Sequence, residues 1–230
     1  MEFKRVTLFA GHYGSGKTNI AVNYAVALKK AGYPTAIADL DIVNPYFRAK
    51  DSKDVLEENG IKFISSFFAN SNVDFPALPS ETYGLVMRKD YNAVIDVGGD
   101  DRGALALGRF VPYILEENDY DMLFVANCFR PLTKTAKDAL EVMREIEDAC
   151  KIRFNGIINN SNLGVETTKE TVISSKPFIE ELSKLSGLKV KFTSIDENLG
   201  DVDNVGEVFK MKLAERYYEI KENKNGKINL

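Results

Sequence analysis

Residues 11–18 read Gly-His-Tyr-Gly-Ser-Gly-Lys-Thr and stand directly behind the apolar run Val-Thr-Leu-Phe-Ala. Glycines at 11, 14 and 16 let a backbone wrap closely and aim its N–H groups inward. Lys17 can reach β and γ phosphates, and Thr18 offers a hydroxyl to Mg²⁺. A helix that begins at Lys17 adds its positive N-terminal end. The spacing G-x-x-x-x-G-K-[ST] between a strand and a helix therefore predicts a phosphate cradle. Its nucleotide-binding set is Gly11, Gly14, Ser15, Gly16, Lys17, Thr18 and Asn19.

Acidic residues recur where strands should end. Asp39 and Asp41 close the stretch Ala-Ile-Ala-Asp-Leu-Asp, and Asp96 ends Asn-Ala-Val-Ile-Asp ahead of Gly98 and Gly99. An Asp at a strand tip can hold Mg²⁺, and a Gly three residues later can present its amide to a γ phosphate. Ligands in open α/β sheets sit at the carboxyl ends of strands, so these groups belong beside the loop. Asp and Gly after strands also serve as plain turn formers. The expected metal set is Thr18, Asp39 and Asp96, with Gly99 at the γ phosphate.

Positioning such a site takes alternating strands and helices, and the pattern supplies them. Apolar runs at 5–10, 35–40, 62–68, 92–97, 121–127, 154–159 and 189–195 read as strands. Residues 17–31, 103–117, 134–150, 167–186 and 204–222 read as helices, with Thr133 capping the third and Thr167 or Thr168 the fourth. In the last, Val205, Phe209, Leu213, Tyr217 and Ile220 share one helical face. The irregular stretch 66–91 has room for a short helix near 81–88. The expected fold class is α/β, a three-layer P-loop arrangement with a mostly parallel central sheet, as one nucleotide-binding domain over residues 1–230 and a frayed tail at 223–230. A net charge of −4 argues against a sequence-independent grip on nucleic acid. Two distant cysteines indicate neither a disulfide framework nor a zinc site, and no leader or membrane span is read, so a cytoplasmic location is expected.

Four segments, spread over about residues 3–200, resemble the MinD/ParA-type (SIMIBI class) branch of P-loop ATPases: the loop and its helix, "AIADLDIVNP", "AVIDVGG" and "FNGIINNSNLG". The resemblance implies ATP and Mg²⁺ as cofactors. It implies a first switch containing Asp39 and Asp41, with Asp41 orienting the attacking water and Asp39 in the metal's outer shell, the two being exchangeable. Catalytic roles thus fall to Lys17, Asp41 and Asp39. A second switch would begin at Asp96. The branch also places an Asn to read adenine, here Asn160 in preference to Asn159; no carboxylate follows that would suit guanine, which favours ATP. That branch carries Lys-Gly where this chain has His12 and Tyr13, the Lys coupling two subunits of a homodimer. His12, if protonated, could replace part of that charge. Cys128 does not fall where an iron–sulfur ligand would, so no cluster is expected. Arg130, after the next strand, could stack on the base or contact a partner.

Three functions share these residues. The first is a Mg-ATP switch with slow hydrolysis whose segments 41–50 and 97–110 report the nucleotide to a protein partner. A small-molecule kinase or ligase resembling dethiobiotin synthetase would use 66–91 as an acceptor pocket. A non-hydrolysing ATP-sensing adaptor is the third.

Overall fold

The computed structural model describes residues 2–40, 53–65, 80–98 and 107–213. Strands β1 (Val6–Ala10), β2 (Thr35–Asp39), β3 (Lys62–Ser65), β4 (Asn92–Asp96), β5 (Tyr120–Ala126), β6 (Gly156–Asn159), β7 (Val190–Asp196) and β8 (Val208–Met211) form one sheet. Its order is β3-β2-β4-β1-β5-β6-β7-β8, and each neighbouring pair is parallel. The helices are α1 (Lys17–Lys30), α2 (53–58), α3 (Ser80–Met87), α4 (Val111–Glu117), α5 (Ala136–Cys150), α6 (Lys169–Ser174) and α7 (Lys176–Ser186).

The inner strands are nearly all apolar because both faces of the sheet are covered. Alternation sends Phe9, Ile37, Val94, Val125, Ile158 and Phe192 to the face that carries α1. Leu8, Ala38, Ile95, Phe124 and Ile157 face the other way, under α3, α4, α5 and α7. Buried Arg5 pairs with Glu117 and donates to the Val86 carbonyl at 2.9 Å, tying the foot of β1 to the ends of α3 and α4. Among the described residues no helix is long and apolar enough to cross a membrane.

Three expected elements differ from those observed. Within the predicted helix 204–222, residues 208–211 are instead strand β8, parallel to β7. A spacing of four is commensurate with a period of two as well as with a helix, and Phe209, Met211 and Leu213 all pack on the α1 side. Asn204 and Gly206, both at positive φ, make the turn into the strand. The predicted helix 167–186 is two helices that meet at Ser175, since Pro177 cannot donate into a continuing helix. The cap of α5 is Thr135 and not Thr133: Thr135 accepts from Asp138 N at 3.2 Å and Asp138 returns the bond. Thr168 caps α6 as expected. Positions 41–52, 66–79, 99–106 and 214–230, with the expectations placed on them, lie outside the described residues.

A buried carboxylate fixes the passage from α5 into β6. Glu147 accepts from Arg144 and Arg153 at 2.6 Å each and from the Phe154 amide at 2.9 Å. Burial alone would raise its pKa, but these donors outweigh it and leave the pKa below the ordinary Glu value. A depressed folded-state pKa adds stability above the unfolded value and loses it as pH falls through the folded one. Glu147→Gln is therefore expected to be less stable than the parent at pH 7 by about 2 kcal/mol. The gap should close in acid; urea melts at pH 7 and pH 3 measure it, and an equal gap at both would refute the assignment.

Candidate nucleotide site

The site is assembled at the carboxyl ends of β1, β2, β4, β5 and β6. The loop leaves β1 through Gly11, where a Cβ would come within 2.6 Å of the Val125 carbonyl on β5, so only glycine allows this approach. The loop closes on one atom: the His12 carbonyl accepts from Ser15 N at 3.1 Å and from Lys17 Nζ at 3.2 Å. Lys17 is 2% exposed, its ammonium held inside the turn at the start of α1. What His12 contributes to the closure of the loop is its backbone carbonyl. Its ring stays at the loop's rim, with Nδ1 3.0 Å from the Tyr13 carbonyl, and Tyr13 is 57% exposed.

Alternation decides where the acids go. Asp39 and Asp96 are paired in register across β2 and β4, and both continue the row of Ile37 and Val94 that faces α1. In-register residues on parallel neighbours project to the same face about 4.8 Å apart. Both carboxylates are buried on the face from which α1 presents Lys17 and Thr18. Among the described residues no group of three His, Cys, Asp or Glu side chains forms a metal cage. Hydroxyl and carboxylate oxygens of this kind suit Mg²⁺, which prefers few protein ligands and takes the rest from phosphate and water. Asp41 and Gly99 lie outside the described residues.

Asn160 lies on the other flank of β1, fully buried beneath the loop. Its Nδ2 donates to the Ser15 carbonyl at 2.5 Å, and its Oδ1 accepts from Ser194 Oγ at 2.6 Å and from Asn162 Nδ2 at 3.1 Å. Gly16, at φ +89°, leaves room for this amide, and a methyl there would overlap it. Asn159 points elsewhere, donating to Ser175 Oγ at 2.9 Å. Asn19 is further along α1 and its amide reaches Met211 Sδ at 3.6 Å.

Sequence reasoning did not find Asn127 and Ser194. Asn127, 1% exposed, organises the loop after β5: its Oδ1 accepts from Phe129 N at 3.0 Å, and its carbonyl accepts from Thr133 Oγ1 at 2.7 Å. An Asn directly behind a strong apolar run was the available signal, because Asx side chains bond the backbone two residues on. Ser194 carried none. Burial pushes the nearby Cys128 thiol up, against the smaller opposing effect of its Ser161 contact, so it is held as a neutral thiol.

No protein-family model and no curated protein matches this chain. Solved structures match it in fold. FtsY from Mycoplasma mycoides is 20% identical, with TM-score 0.53, over 86% of this chain and 62% of that one. FtsY from Thermotoga maritima is 18% identical, with TM-score 0.55, over 86% and 63%. The 54 kDa signal recognition particle protein of Aeropyrum pernix, in complex with GDP, is 19% identical, with TM-score 0.53, over 86% and 43%. The chain spans under two thirds of the length of these structures. At such identities the likeness shows the fold, which is that of the P-loop nucleoside triphosphatases.

Proposed function

We propose that the chain is a Mg²⁺-dependent, ATP-binding P-loop switch that hydrolyses its nucleotide slowly. The observation that carries this reading is the buried Lys17 ammonium, closed by its own loop beside the registered pair Asp39 and Asp96. Lys17 and the loop amides would hold the β and γ phosphates. Thr18, Asp39 and Asp96 would hold Mg²⁺, which when bound supplies charge for the phosphate oxygens. Asp41 remains the proposed orienter of the attacking water and Gly99 the proposed γ-phosphate contact. A protein partner would read the nucleotide state.

The geometry of Asn160 changes the basis for choosing ATP. Its Oδ1 is taken by Ser194 and Asn162, so it has no acceptor left for the adenine amino group. Its second amide hydrogen can go to N7, an acceptor that adenine and guanine share. The preference for ATP therefore rests on the lack of a carboxylate in residues 159–164. The GDP complex among the structures of similar fold makes GTP the second nucleotide to test.

Calorimetry with the Mg²⁺ forms of ATP, ADP, GTP and GDP, followed by phosphate release, tests the reading. ATP and ADP are expected to bind. Asp96→Asn should keep ADP binding and slow phosphate release by about a hundredfold. Wild-type turnover in that variant would remove Asp96 from the mechanism, and failure of all four nucleotides would refute the switch.

A further inference from the structure

We propose that Arg130 is a nucleotide-binding residue whose guanidinium covers the face of the bound purine, an inference that rests on the loop being a nucleotide site. The stem of Arg130 lies against the phosphate loop: its Nε and Cδ are 3.8 and 3.9 Å from where a Cβ on Gly14 would stand. The Nε is shielded from solvent and makes no hydrogen bond, and among the described residues no carboxylate is paired with the guanidinium. A half-buried cation left in this way is satisfied by a ligand with a π face or a negative charge.

Position selects between those two. β4 and β2, on one side of β1, bring Asp39 and Asp96 to the γ-phosphate end of the loop. β5 and β6, on the other side, bring Arg130 and Asn160. Arg130 thus stands on the side of Asn160, across β1 from Asp39 and Asp96. The loop that carries it is already shaped: Arg130 N donates to the Asn127 carbonyl at 3.2 Å, Thr133 N to the Arg130 carbonyl at 3.1 Å, and Cys128 N to Ser161 Oγ at 3.1 Å. A planar cation on a preformed loop suits stacking on a base.

Calorimetry on the full chain should compare the parent, Arg130→Ala and Arg130→Lys against Mg-ADP, Mg-ATP and Mg-tripolyphosphate, the last offering the phosphates without a base. Arg130→Ala is expected to weaken ADP and ATP alike by about tenfold and to leave tripolyphosphate unchanged. Arg130→Lys, which keeps the charge but not the plane, should recover only part of the loss, and in turnover KM should rise while kcat holds. An equal loss for tripolyphosphate would place Arg130 on the phosphates or the loop and overturn the proposal, as would unchanged ADP affinity. A parent that binds neither nucleotide nor tripolyphosphate would overturn the nucleotide reading itself, whereas a parent that binds while both variants match it removes only Arg130.

Discussion

Lys17→Ala is expected to lower affinity for Mg-ATP by about a thousandfold, since two charge-assisted hydrogen bonds to phosphate each contribute roughly 1.5–3 kcal/mol. The ammonium is already desolvated and aimed by the His12 carbonyl, so little reorganisation opposes phosphate binding. Losing that bond also leaves the His12 carbonyl with Ser15 N alone, and stability should fall by about 1 kcal/mol. Thermal melts of both proteins separate this modest loss from the loss of binding. His12→Ala is the matching control: it keeps the carbonyl and should bind within about twofold of the parent, as surface changes do. Unchanged affinity in Lys17→Ala would refute the phosphate-loop assignment, and a large loss in His12→Ala would restore a role to the ring.

The loop and the strand-end acids were legible because each is a local pattern with a local cause. Gly11, Gly16 and Lys17 are spaced as a close turn between a strand and a helix requires, and Asp39 and Asp96 end runs apolar enough to be inner parallel strands. Contacts that join distant segments were not legible. Nothing near Asn160 announces that Ser194, 34 residues later, will occupy its oxygen, or that Ser15, 145 residues earlier, will take its amide. The same limit explains β8. Phe209 could serve a helix or a strand, and packing on Phe192 at 5.0 Å between ring centroids selects the strand. Thr133 and Thr135 are equally good caps in isolation, and the Asn127 carbonyl takes one hydroxyl and leaves the other to α5.

The second large effect is expected at Asn160, because one amide joins the loop, the sheet and, by the reading above, the base. Asn160→Ala strands the buried Ser15 carbonyl, at a cost of about 1–3 kcal/mol, and leaves the Ser194 hydroxyl only its longer bond to the Asn159 carbonyl at 3.2 Å. It also opens space beneath Gly16, whose left-handed backbone is packed against that amide. A loosened loop aims its amides less well, and with the N7 donor gone, nucleotide affinity should fall by about a hundredfold. Because the donor meets an atom common to both purines, ATP and GTP should lose affinity by the same factor and keep their ratio. Asn160→Asp, nearly isosteric but without the amide donor, should show the same equal loss with a less open cavity. Calorimetry with both nucleotides decides between the two uses of this side chain. A loss confined to ATP would mean that Asn160 turns away from Ser194 to read the adenine edge, and that the network seen here is not the one that holds the base.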